Sequence, residues 1–136
     1  MFNLKKIENG RMNVPEPEYF DAKANTEIQV GQALVLTGGV LTPISSVTTR
    51  PEFISLGYLP PKKEEEKREI PVCRVNDEQV YEVPVSEEPD GLTVGDKVRL
   101  DADGLSVTAE TDSGVATIVN LCGATAEGDK ILVKFV

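Results

Sequence analysis

Apolar and polar positions alternate with a period of two along most of this chain, and no segment carries a sustained apolar stripe of period 3.6. The run from Val115 to Leu121 is the richest in strand formers, with Val115, Thr117, Val119 and Leu121 alternating with Ala116, Ile118 and Asn120. Similar patterning predicts strands over residues 28–36, 40–42, 52–59, 70–75, 80–85 and 130–136, separated by Gly, Pro, Asn and Asp. Isolated helical turns fit only residues 5–9 or 62–69. Many short strands with such punctuation predict an all-β fold, a small antiparallel β-barrel or sandwich.

One unit of this pattern recurs. Gly91 to Val107 reads as two short strands joined by a tight Asp101–Gly104 turn, and it echoes Ile28 to Thr42 at a shift of 64 residues. The shift places Ile28 on Leu92, Val30 on Val94, Gly31 on Gly95, Leu36 on Leu100 and Leu41 on Leu105. A shorter copy closes the chain, where Gly128-Asp129-Lys130-Ile131 repeats Gly95-Asp96-Lys97-Val98. The echo predicts two similar β halves sharing one core; it is too short an array for a solenoid.

Residues 1–26 differ from the body at 27–136. Their apolar residues are scattered, and Pro15 and Pro17 flank Glu16, which biases this stretch toward extended backbone. The expectation is an extended N-terminal arm followed by a single β-domain. The arm either packs on its own domain or pairs with a neighbouring subunit, and the candidate partner-binding residues are Val14, Pro15, Glu16, Pro17, Glu18, Tyr19 and Phe20. The mixed-charge run from Pro60 to Glu69 has no apolar face and reads as a solvated loop.

Charge narrows the partners. The net charge is −9, and Lys5, Lys6, Arg11 and Lys23 balance Glu8, Glu16, Glu18 and Asp21 in the first 26 residues, so the whole surplus lies in the body. Such a chain repels polyanions, which argues against direct binding of nucleic acid. No apolar run reaches the length of a signal peptide or a membrane span, so a cytosolic site of synthesis and assembly is expected, with no membrane partner. Cys73 and Cys122 are each flanked by apolar residues and read as small buried hydrophobes in a reduced compartment; a Cys73–Cys122 bridge is the other possibility.

The residues usual for catalysis are scarce. The chain has no histidine, and its serines have neither an elbow context nor a base to activate them. Its cysteines lack the close spacing of zinc sites. Asp101-Ala102-Asp103-Gly104 resembles the start of a calcium loop, but glycine falls at position 4 and Asp112 at position 12, so the EF-hand pattern fails and a turn explains it. Gly38-Gly39 lacks phosphate-loop spacing. The expectation is a non-enzymatic protein without cofactor or metal.

The order G-Q-A-L-V-L-T-G-G-V-L-T-P (31–43), P-E-F-I-S-L-G-Y (51–58), I-P-V-C-R-V (70–75), Y-E-V-P-V (81–85), L-T-V-G-D-K-V-R-L (92–100) and G-V-A-T-I-V (114–119) resembles small proteins from the head-gene clusters of tailed phages and prophages of Gram-positive bacteria. More loosely it is similar to head decoration (cement) proteins of the lambda type and to head-fibre proteins. The resemblance implies an auxiliary capsid protein on the exterior of the virion, assembled in the host cytoplasm, binding the major capsid protein and itself forming a homo-oligomer, with a trimer favoured. The charged insertion at 60–69 departs from the lambda type. The V-x-x-G-D-K-[VI]-x-[LV] motif also occurs in co-chaperonin-like barrels, biotinyl-type domains and ribosomal SH3-like domains, so a small cytosolic protein-binding module is the alternative.

Overall fold

The computed structural model describes residues 1–8, 15–63 and 68–136. They form ten β-strands and no helix. In chain order these are β1 (Asn3–Ile7), β2 (Glu18–Asp21), β3 (Ala33–Thr37), β4 (Val40–Pro43), β5 (Phe53–Ser55), β6 (Glu69–Arg74), β7 (Gln79–Pro84), β8 (Lys97–Val98), β9 (Ala116–Asn120) and β10 (Lys130–Lys134). Two five-stranded antiparallel sheets result, one ordered β1-β7-β10-β9-β8 and the other β2-β6-β5-β3-β4. The fold is a sandwich, and of the two all-β architectures expected the closed barrel is not the one formed. No helical turn forms at residues 5–8, because Asn3–Ile7 pairs with β7 instead.

The two halves suggested by the 64-residue echo separate onto the two sheets. Residues 33–74 supply β3 to β6 of the second sheet, and residues 79–134 supply β7 to β10 of the first. The two N-terminal strands divide between them: β1 pairs with β7, and β2 pairs with β6. Residues 1–8 and 15–26 thus complete one edge of each sheet within the chain's own sandwich.

The burial pattern explains the layers. In β10 the side chains of Ile131 and Val133 point inward, while Lys130, Leu132 and Lys134 lie on the outer face, as expected of a sheet covered on one side. In β3 and β5 the alternation is lost, because the second sheet is buried on both faces. Ala33 and Ile54 join the core between the sheets, with Tyr81, Val83, Leu100, Ile118, Val133 and Phe135. Leu34 and Phe53 point the other way, into a second cluster with Ala22, Ile28, Leu41, Ile70 and Val72. That cluster lies within the curl of the second sheet, whose edge strands approach at one bridge between Ala22 and Leu41.

The repeated unit turns out to be a capped turn followed by a strand. Gly31, Gly95 and Gly128 have φ of 73°, 98° and 88°, and each stands two residues before the first residue of β3, β8 or β10. The residue after each glycine sends its side-chain oxygen back to the backbone N–H three residues earlier. Gln29 N donates to Gln32 Oε1 (3.0 Å), Thr93 N to Asp96 Oδ2 (2.9 Å) and Ala126 N to Asp129 Oδ2 (3.0 Å). A turn with positive φ at its third residue requires glycine there, and the Gln or Asp cap satisfies the donor that the turn exposes.

Three predicted strands are shorter than their patterns. Residues 52–59 yield only β5, because the chain bends at Leu56 and Gly57 as the Ser55 hydroxyl bonds Gly57 O (2.6 Å). The Gly91–Val107 hairpin is bulged: beyond β8 it keeps one bridge, Leu100 to Val107, because Arg99 faces more than one residue, its O accepting from Thr108 N (2.9 Å) and its N donating to Glu110 O (3.0 Å). Its tight turn is present, with Asp101 and Asp103 accepting from Ala102 N and Leu105 N. That turn docks on the second sheet, where Gln32 Nε2 donates to Asp103 O (2.9 Å) and Ala33 N to Gly104 O (2.8 Å).

Both cysteines are free. Cys73 is buried as expected, but Cys122 is exposed in a turn with φ of 53°, held by a bond from its N–H to Asn120 Oδ1 (2.8 Å). Its apolar neighbours in sequence do not bury it, since the turn carries it out of the β9 plane. Arg68 departs from the solvated reading of residues 60–69: it is 3% exposed, whereas Lys62 and Lys63 are open to solvent. The charges of Glu64, Glu65, Glu66 and Lys67 lie outside the described residues.

Candidate functional site: an apolar groove beside the N-terminal strands

The groove opens where the chain's first residues enter the sandwich. Phe2 is buried between the sheets against Tyr81 and Phe135, and its N–H bonds Gly31 O (2.8 Å). Glycine is needed at 31 for its positive φ and for space, since a Cβ there would lie 2.6 Å from Met1 Cβ and 2.8 Å from Phe2 O. Beside this contact is a cavity of about 160 Å³ lined by Met1, Phe2, Asn3, Leu4, Pro15, Val30, Gly31, Ile54, Ser55, Leu56, Cys73 and Tyr81. None of these side chains is charged.

The strand β2 passes alongside. Its alternation splits the two aromatic residues of the candidate segment: Phe20 turns inward onto Phe53 (ring centroids 5.1 Å apart), and Tyr19 turns outward at 60% exposure. Tyr19 pairs with Pro71, whose carbonyl accepts from Leu56 N (2.9 Å), so Tyr19 and Leu56 flank one proline. Glu18 makes a two-point contact with Arg74, Oε2 to Nε and Oε1 to Nη2, both at 2.8 Å. Arg74 in turn lies over the Phe53 ring, 4.8 Å from its centroid. Pro15 lines the groove, while Glu16 and Pro17 are exposed between groove and strand. Val14 lies outside the described residues. The structure therefore gathers Pro15, Glu18, Tyr19 and Phe20 at one edge, and it adds Met1, Val30 and Leu56. Their signal in the sequence was weak, because an isolated exposed aliphatic in a β pattern resembles a core residue.

Under the groove runs a buried polar chain. Tyr81 Oη donates to Gln79 Oε1 (2.8 Å), which also accepts from Asn76 N (3.1 Å), and Gln79 Nε2 donates to Arg74 O (3.0 Å). Cys73 Sγ lies 3.8 Å from Tyr81 Oη. Burial, with the nearby thiol second, holds the Tyr81 phenol well above its ordinary range. These bonds fix the tight β6–β7 connection. Among the described residues no three His, Cys, Asp or Glu side chains gather as a metal site would require, and no helix is long and apolar enough to cross a membrane.

Three carboxylates at the surface are held below their usual range by the bonds that they accept. They are Glu8 beside Lys134, Glu18 beside Arg74, and Asp129 under the N–H groups of Thr125 and Ala126. A carboxylate whose pKa is lowered by folding adds stability above its unfolded pKa, and that stability is lost as pH falls through the lowered value. Tyr81 acts in the opposite sense, since its raised pKa favours the folded state only below the phenol's unfolded value of about 10. The urea midpoint is therefore expected to stay level near neutrality, to fall below about pH 4 and to fall again above about pH 10. An unchanged midpoint between pH 6 and pH 3 would count against the three carboxylate contacts.

No family model and no curated protein matches this chain. Among solved structures it is similar to the N base of the head fiber protein gp8.5 of bacteriophage phi29, with a TM-score of 0.59 and 13% identity. The match covers 88% of this chain and 94% of that one. At that identity the likeness is one of fold, spanning both sheets rather than a single hairpin.

Proposed function

We propose that this chain is a non-enzymatic structural protein of a phage or prophage virion, seated on the exterior of the head and assembled in the bacterial cytoplasm. In this reading it binds major capsid protein subunits, decorates or stabilises the shell, and self-associates, as a trimer in the first instance. The observation that carries the reading is the shared fold with a phage head fiber base over nearly the whole of both chains. Support also comes from the chain's own character. Its buried polar groups serve structure, its net charge of −9 suits a soluble surface module, and its exposed apolar residues concentrate at one groove rather than around a reactive centre.

The test is reconstitution. Purified protein is mixed with expanded heads that lack it, and bound heads are examined by electron microscopy and by heat challenge. The expected result is regular added density on the head exterior and a raised rupture temperature. Protein that neither adds to heads nor changes their rupture would end the capsid reading, and a small cytosolic adaptor would then be the better account.

A further inference from the structure

Seven large apolar residues are exposed in the described chain, and they are not evenly spread. Met1, Val30 and Leu56 line the groove, at 53%, 43% and 48% exposure, and Tyr19 stands next to Leu56 across Pro71. The remaining three do not line it: Tyr58 beyond the bend at Leu56 and Gly57, Val94 between the capped turn of Asp96 and the acidic 87–90 loop, and Val136 beyond β10. Side chains of this size and exposure leave on the order of 400 Å² of apolar surface around the groove, the size of the largest patch on a typical single chain, which is often a functional one.

Charge indicates what covers it. A chain of net charge −9 repels its own copies nearly everywhere. A patch that lies on the symmetry axis of an oligomer, two-fold or three-fold, meets its own copies there, so a charged patch would meet like charge. Among the described residues that line the groove no side chain is charged, the α-ammonium of Met1 has Asp103 and Lys130 as its charged neighbours, one of each sign, and Glu18 beside Tyr19 is already neutralised by Arg74 at 2.8 Å. This is where two copies can approach with little repulsion while removing apolar surface from water. Val94 does not meet the same criterion, because it lies between Asp90 and Asp96 in the chain, with Asp96 bonded to its neighbour Thr93.

We infer that the groove of Met1, Pro15, Val30 and Leu56, with Tyr19 at its margin, is the surface through which copies of this chain meet. The inference rests on the proposed self-association and is independent of capsid binding. Two such patches facing each other bury on the order of 800 Å², below the roughly 1,200 Å² of stable interfaces and in the range of weak, transient ones, so the assembly should depend on concentration.

Sedimentation equilibrium across a wide concentration range tests it, on the wild type, Leu56→Glu, Val30→Glu and the control Val94→Glu. The wild type is expected to rise in mass above the 14.8 kDa chain as concentration increases. Leu56→Glu and Val30→Glu should remain monomeric throughout, with the wild-type melting temperature at dilutions where the wild type is itself monomeric, since both residues are half exposed, and Val94→Glu should associate as the wild type does. A wild type that stays monomeric overturns both self-association and the surface. Association retained in both groove variants, or lost equally in Val94→Glu, overturns the surface and leaves self-association standing. Head binding, scored separately on the same proteins, bears on the capsid role alone.

Discussion

Replacing Phe2 with alanine is expected to destabilise the protein by about 3–5 kcal/mol, the usual cost of emptying a buried aromatic site. The residue is 3% exposed although it is second in the chain. Its ring meets Tyr81 edge-on at 6.2 Å and Phe135 at 5.4 Å, and these two rings lie 5.7 Å apart, so all three form one cluster between the sheets. Removing one member leaves a cavity that β1 and β7 cannot close without breaking their ladder. A domain of this size has about 5–15 kcal/mol in total, so the loss is a large part of it. The urea midpoint measures it, and a change below about 1 kcal/mol would show that Phe2 does not occupy the core. The same packing bears on any study of residues 1–26. Deleting them removes Phe2, β1, β2 and the Ala22–Leu41 bridge together, so a truncated chain reports on folding before it reports on partners. Point changes at Tyr19 or Leu56 keep the two questions apart.

How much of this was legible in the sequence depended on how many residues shared a signal. The all-β class was plain, because strands such as Lys130–Lys134 alternate cleanly over a one-sided core. The repeat was visible through Gly31, Gly95 and Gly128, but its cause was not. The bond from each Gln or Asp back to an N–H three residues earlier needs coordinates, and only the G-[QD] pair betrays it. The strands within residues 1–26 were hard to see because only Phe2, just before β1, and Leu4 turn inward near its start, with Asn3 and Lys5 facing out; two apolar positions make a weak period. The groove could not be read at all. It joins residues 1, 15, 30 and 56, which come together only when β1 and β2 take opposite sheets.

Arg68 is the clearest case of a residue whose sequence context conceals its role, and its replacement by alanine is expected to cost about 3–5 kcal/mol. It sits at the end of a charged run, yet its guanidinium is buried and donates to three backbone carbonyls: Nη1 to Lys23 O at 2.7 Å, and Nη2 to Thr26 O at 2.8 Å and Pro60 O at 2.7 Å. Those carbonyls belong to two separate loops, which also meet where Asn25 N bonds Lys62 O (2.7 Å) and where Ile28 pairs with Leu59. Together they cover the second apolar cluster of Ile28, Leu34, Phe53 and Ile70. Alanine would leave three partly buried acceptors without their donor and open that cluster to water, and a bond to a charged donor is worth about 1.5–3 kcal/mol. Lysine should recover only part of the loss, because an ammonium is a point charge and lacks the planar fork that reaches two loops at once. Hydrogen exchange at residues 22–28 and 58–62 should accelerate in Arg68→Ala before exchange at β7 and β10 does. A loss below about 1 kcal/mol, the level of an exposed charge, would return Arg68 to the solvated run from which it was separated.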